Sequence, residues 1–170
     1  MASLAGMLAE QGHKVSGSDE NVYPPMSLEL ERLGIPVREG YKPENLVERP
    51  DVVVVGNAIT RGNPELEQVL NQKIYYTSMA AVVKDNFIRG RNSIVVAGTH
   101  GKTTSSAMLA WVLERTGRGP GFLVGGVPRE LGQSFALGGG PWFVIEGDEY
   151  DSAYFSRRPS SSTIARRCCS

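Results

Sequence analysis

Cysteine is nearly absent, with two residues in a chain of 170, Cys168 and Cys169, side by side at the C-terminal end. Neighbouring thiols build no disulfide framework and lack the spacing of a structural zinc site. An excess of charge is absent as well, since 18 Lys and Arg face 18 Asp and Glu. Without a basic field to neutralise phosphates, no nucleic-acid partner is expected. No run approaches about 18 consecutive apolar residues, so no membrane partner is expected either. The opening Met1-Ala-Ser-Leu-Ala-Gly-Met7 has no basic stretch before it and no small-residue cleavage site after it, which predicts a cytoplasmic chain. Internal repeats, heptad seams and Ser/His/Asp or Cys/His arrangements are missing too, and covalent nucleophilic catalysis has no support. A hydrophobic fraction of 41% excludes wholesale disorder.

What is present is an alternation of short apolar strands and helices. Leu4, Ala5 and Leu8 share a helical face over residues 1–11, with Gly12 placed as a C-terminal cap. A strand is predicted over 13–17, a helix over 27–33 stopped by Gly34, and a strand over 35–37. The continuous β-branched run Asp51-Val-Val-Val-Val55 between Pro50 and Gly56 has the pattern of a strand buried on both faces of a parallel sheet. Asn63-Pro64-Glu65 combines an N-cap, a proline at the first helical position and an early acid, predicting a helix to about Asn71. A strand over 74–76 and a helix over 79–84 follow. The polar, basic stretch 86–92 suggests a domain boundary near 90. After it come a strand at 93–97, a Gly-rich turn, a helix over 103–115 closed by Gly117, a strand at 122–124, a Gly-rich excursion and a strand at 142–145. The class is α/β with parallel sheets. Residues 160–170 break this style and carry no periodicity.

The sharpest chemical signal is Gly98-Thr99-His100-Gly101-Lys102-Thr103-Thr104, set between a strand and an amphipathic helix. Glycines there let backbone N–H groups turn inward around phosphate oxygens, and the helix N-terminus adds its positive end. Lys102 supplies a point charge for the β- and γ-phosphates, and the Thr103 hydroxyl a ligand for Mg²⁺. The common pattern G-x-x-x-x-G-K-[ST] wants glycine at 96, where this chain has Val96 and places Gly98 instead. The second signal is the apolar strand Trp142-Phe-Val-Ile145 running into Glu146-Gly-Asp-Glu-Tyr-Asp151. An acid at the carboxyl end of a neighbouring parallel strand reaches the Mg²⁺ beside a nucleotide, and Glu146 is the first choice. The weaker loops Gly17-Ser18-Asp19 and Gly56-Asn57-Ala58-Ile59-Thr60-Arg61-Gly62 lie where ligands of open α/β sheets bind, or are ordinary connections. His13 reads as a surface strand residue, and Trp111 and Leu113 as core.

At Ala97-Gly-Thr-His-Gly-Lys-Thr-Thr104 the chain resembles the Mur ligases of bacterial cell-wall synthesis, whose phosphate loop carries its first glycine in this shifted place. The resemblance extends over 17–26, 55–64, 120–128 and 144–152 and covers about residues 1–159, part of a family member. It implies a Rossmann-like UDP-binding domain over 1–90 whose first strand is missing, because Met1–Gly6 aligns inside the helix that follows that strand. It also implies the first part of a P-loop ATPase domain over 91–159, with 160–170 outside the family pattern. The implied reaction is ATP- and Mg²⁺-dependent joining of UDP-N-acetylmuramate to the murein tripeptide L-alanyl-γ-D-glutamyl-meso-diaminopimelate through an acyl phosphate. L-alanine as the acceptor, and a non-catalytic nucleotide- or UDP-sugar-binding module, are the alternatives. In the implied site Lys102, His100 and Glu146 are catalytic, residues 98–104 hold ATP, and Thr103 and Glu146 hold the metal. Ser18, Asp19, Asn57 and Ala58 line the UDP side.

Overall fold

A computed structural model of the chain describes residues 1–24 and 26–147. Asp148, Glu149, Tyr150 and Asp151 of the acidic run, the boundary at 159, the 160–170 stretch and both cysteines lie outside the described residues. The element order is α1 (Ala2–Glu10), β1 (Gly17–Asp19), α2 (Met26–Arg32), β2 (Val37–Glu39), β3 (Val53–Val55), α3 (Pro64–Asn71), β4 (Tyr76–Ser78), α4 (Met79–Val83), β5 (Asn92–Ala97), α5 (Lys102–Arg115), β6 (Gly121–Leu123), β7 (Phe135–Ala136) and β8 (Trp142–Gly147). A 3₁₀ turn at Pro43–Leu46 precedes β3, and a π-helical turn at Lys84–Ile88 extends α4.

The alternating pattern becomes an α/β chain, as expected, but the N-terminal strands form two separate parallel pairs rather than one sheet. β1 pairs with β2 and β3 with β4. The strands also begin later than the apolar residues suggest. Pro36 has no N–H to donate; its carbonyl accepts from the Gly17 N–H at 3.0 Å, and the β1–β2 ladder starts there. His13 is exposed, as expected, but precedes the strand. Ile74 is taken up by the end of α3, its N–H bonding the Val69 carbonyl at 3.0 Å, so β4 starts at Tyr76.

Helix ends follow the local rules. Gly12, Gly34 and Gly117 sit at positive φ just past α1, α2 and α5, and the next residue's N–H reaches back to Leu8, Leu30 and Leu113. Lys73 does the same work after α3 at φ +52, the one non-glycine residue at positive φ among the described residues. The Asn63 side chain caps α3, accepting from the Glu65 and Leu66 N–H groups at 3.0 and 3.1 Å.

The second sheet has the order β5-β8-β6-β7, with β5, β8 and β6 parallel and β7 antiparallel to β6. β7 arises within the stretch read as a Gly-rich excursion. On one face, α5 sets Ala110 against Phe122, Val124 and Val144, with Leu113 packed beside them. Trp111, expected in the core, is 38% exposed, with the Arg115 guanidinium 5.5 Å from its ring centroid. The other face is covered from the N-terminal half. Leu4 and Met7 of α1 and Val82, Val83 and Phe87 of the α4 segment pack on Leu123, Phe135, Phe143 and Ile145. The largest apolar cluster therefore crosses position 90. Phe87, inside the stretch read as a polar seam, is 2% exposed because the wide π-helical turn carries it inward.

A polar clasp accompanies that contact. The buried Ser134 hydroxyl donates to Glu29 of α2 at 3.2 Å and meets the Ser3 hydroxyl of α1 at 2.9 Å. Gly6 lets α1 approach the sheet, since a Cβ there would meet the Phe135 ring at 2.4 Å and Leu33 at 2.9 Å. Gly6→Val is expected to lower unfolding free energy by about 1–3 kcal/mol through overpacking, with an equilibrium urea titration as the measurement.

Candidate functional site

The carboxyl ends of β5, β8 and β6 lie together because the strands are parallel and in register, Val96 opposite Glu146 and Leu123 opposite Ile145. The loop Gly98–Gly101 leaves β5 at this edge and runs into α5. Gly101 occupies the N-cap position with φ +74, a conformation that L side chains rarely adopt, and contributes no capping side chain. Gly101 thus leaves the start of α5, with its positive end, at the edge where β5 and β8 end.

Glu146 reaches this edge from β8. Its Oε2 accepts from the Thr103 hydroxyl at 3.2 Å, and its Oε1 accepts from the Gly125 N–H, in the loop after β6, at 2.7 Å. These two hard oxygens stand 3.2 Å apart, near the roughly 3.0 Å between adjacent corners of an octahedron of ligands at about 2.1 Å, the geometry Mg²⁺ demands. Among the described residues no group of three His, Cys, Asp or Glu forms a metal cage. Mg²⁺ takes one or two protein ligands beside phosphates. The residues present fit this ion. Lys102 is half-buried in the first turn of α5; Thr99, His100 and Thr104 are exposed. His100 turns towards its own loop, Nδ1 lying 3.2 Å from the Thr99 hydroxyl.

The residues read as the UDP side gather at a different edge. Ser18 and Asp19 end β1, and Asn57 and Ala58 form an exposed turn after β3, closed by the Ile59 N–H to the Gly56 carbonyl at 3.0 Å. The two exits are linked by Glu65, in the first turn of α3. Its carboxylate accepts from the Ser18 hydroxyl at 2.9 Å and from the Asn45 amide at 3.0 Å. Asp19 accepts the Asn21 N–H at 3.1 Å. Desolvation pushes the Tyr41 hydroxyl pKa up, and the charges of Asp19 and Glu20 add to it, which marks this edge as acidic. Arg61 is held by Glu67 at 2.8 Å. The Glu67 carboxyl is lowered by the Arg61 hydrogen bond and by the Gly62 N–H.

Two residues here escape a sequence reading. Glu65 is legible only as a helix-start acid; its reach to Ser18 needs the fold. Gly125 shows only as part of Gly125-Gly126 after an apolar strand, which hints at a close approach without naming the partner. A cleft of about 600 Å³ between Trp111, Arg115, Phe122 and Leu131 lies at the amino end of β6 and gathers none of the predicted site residues.

A sequence profile described as "Mur ligase family, catalytic domain" matches residues 1–89. The chain is 49% identical over 158 residues to the UDP-N-acetylmuramate--L-alanyl-gamma-D-glutamyl-meso-2,6-diaminoheptandioate ligase of Escherichia coli (strain K12), an alignment covering 93% of this chain and 35% of that protein. It is 36% identical over 164 residues to the UDP-N-acetylmuramate--L-alanine ligase of Syntrophomonas wolfei, covering 96% of this chain and 35% of that protein. Among solved structures it is similar to UDP-N-acetylmuramate:L-alanyl-gamma-D-glutamyl-meso-diaminopimelate ligase from Neisseria meningitides, with a TM-score of 0.84 and 46% identity over 89% of this chain and 50% of that one. The chain thus spans about a third of the length of the relatives it matches.

Removing the Glu65 carboxylate takes the acceptor of the Ser18 hydroxyl and one of the two acceptors of the Asn45 amide, which keeps the Gly40 carbonyl at 2.9 Å. Glu65→Leu is expected to cost about 1–2 kcal/mol, read as a lowered urea midpoint, while Glu65→Gln, which keeps one acceptor oxygen, recovers part of it.

Proposed function

The chain belongs to the Mur ligase family, and from that premise we propose that it is the N-terminal part of an ATP-dependent ligase joining UDP-N-acetylmuramate to the tripeptide L-alanyl-γ-D-glutamyl-meso-diaminopimelate. In this reading residues 1–90 are a Rossmann-like UDP-sugar domain and residues 91–159 the start of a P-loop ATPase domain, working in the cytoplasm. The 49% identity to the tripeptide-adding relative, against 36% to the alanine-adding one, favours the tripeptide as acceptor.

The observation that carries the proposal is the meeting of Thr103 and Glu146 at 3.2 Å directly beside the Gly98–Gly101 loop. When bound, ATP supplies the phosphoryl group that activates the muramoyl carboxylate, and Mg²⁺ neutralises the charge that builds on it. The chain's own task is to position and to compensate charge. Backbone N–H groups of Gly98 to Thr104 cradle phosphate oxygens at the start of α5. Lys102 offsets negative charge at the γ-phosphate as a point charge. The Thr103 hydroxyl and Glu146 would hold the metal, and His100, exposed on the same loop, would lie near the muramoyl end. Ser18, Asp19, Asn57 and Ala58 bind the UDP moiety. An acidic edge there suits the hydroxyls of a ribose, which donate to a carboxylate.

Calorimetric titration of the chain with Mg-ATP and, separately, with UDP-N-acetylmuramate tests the proposal. Both ligands are expected to bind, and Lys102→Ala is expected to weaken ATP by at least about tenfold, worth about 1.4 kcal/mol, while leaving UDP-N-acetylmuramate unchanged. A folded chain that binds neither ligand contradicts it.

A further inference from the structure

We propose that Gly125 is the positioning residue for the metal-holding carboxylate: its N–H pins one oxygen of Glu146 so that the carboxylate presents the other towards Thr103. The inference rests on the reading of Glu146 as a metal ligand and adds to it a residue that has no side chain of its own.

A glutamate carboxylate sits at the end of three rotatable bonds, so the end of β8 alone does not aim it. The 2.7 Å bond from the Gly125 N–H to Oε1 removes that freedom, and the Thr103 hydroxyl at 3.2 Å marks the direction in which Oε2 then points. An N–H donating to a carboxylate is a charge-assisted bond, stronger than a neutral one. The donor is itself held in place. β6 runs parallel to β8 in register up to Leu123 opposite Ile145, and the Val124 N–H is tied to the Ser134 carbonyl at 2.9 Å. The next N–H is that of Gly125, beside the Glu146 carboxylate.

The absence of a side chain matters as much as the N–H. A Cβ on Gly125 would lie 3.2 Å from Oε2, 3.6 Å from Oε1 and 3.7 Å from the carboxyl carbon. It would press hardest on the oxygen turned towards Thr103. Gly125 is not among the residues at positive φ, so its backbone accepts alanine without strain, and Gly125→Ala keeps the N–H while placing a methyl group against the carboxylate. With Oε1 engaged by Gly125, Glu146 offers a single oxygen, the mode of carboxylate ligation that a small octahedral cation takes.

The test is Mn²⁺ binding by the whole chain in the presence of ADP, followed by electron paramagnetic resonance, with ADP binding in EDTA measured beside it. Gly125→Ala is expected to weaken Mn²⁺ by about 10–100-fold, the range for partners that orient a metal ligand. ADP affinity in EDTA and the thermal midpoint are expected to stay as in the parent chain. In a Glu146→Asp background the shorter side chain withdraws from the added methyl group, so Gly125→Ala is expected to add no further loss. Unchanged Mn²⁺ affinity in Gly125→Ala, an equal loss of metal-free ADP binding, or the same additional loss in the Glu146→Asp background overturns the inference. Glu146→Gln separates it from the reading beneath it. If Glu146→Gln abolishes Mn²⁺ binding while Gly125→Ala does not affect it, only the role of Gly125 falls. If neither variant alters Mn²⁺ binding, both fall.

Discussion

The parallel register of β5, β8 and β6 is the constraint on which the site depends. Parallel strands end on the same side, so a loop leaving β5, an acid at the end of β8 and a backbone amide after β6 come together although they lie up to 48 positions apart, from Gly98 to Glu146. A short sheet covered on both faces enforces this alignment. α5 packs on one face through Ala110, and α1 and the α4 segment pack on the other through Met7 and Phe87. Slipping β8 by one residue would turn Phe143 and Ile145 to the α5 face and swing Glu146 away from Thr103.

The N-terminal half contributes to that sheet as well as carrying the edge of loops proposed to bind UDP. α1 begins beside the exits of β1 and β3, with the Met1 side chain near Gly56 and its amine within the field of Asp19. Its far face buries Leu4 and Met7 against the second sheet. One helix therefore touches the proposed UDP edge at its start and the sheet that carries Glu146 along its side. Gly6 and the Ser3–Ser134–Glu29 clasp hold that contact close.

Legibility in the sequence follows the range of the physics. Local rules are readable: glycine at the ends of α1, α2 and α5, the Asn63 cap of α3, and the Gly98–Thr104 loop between a strand and a helix all appear where their residue types predict. The placement of Glu146 at the end of an apolar strand beside that loop is readable as well, and its metal-holding role is the proposal. What is not readable depends on distant partners. Phe87 is apolar in a polar stretch, and only the π-helical turn shows why it is buried. β7 is two residues long and exists because β6 lies beside it. Trp111 sits on a face of α5 that the described residues leave half-open. Glu65 and Gly125 act through contacts to Ser18 and Glu146, 47 and 21 positions away, and no spacing rule spans such distances.

The central claim, that the ends of β5, β8 and β6 build one metal–phosphate site, is tested most directly by anomalous diffraction from crystals of this chain grown with Mn²⁺ and ADP. The account predicts one strong manganese peak within ligand distance of the Thr103 hydroxyl and one Glu146 oxygen, with the ADP phosphates over the Gly98–Gly101 loop. A manganese peak elsewhere, with Thr103 and Glu146 still bonded only to each other and to Gly125, would contradict it.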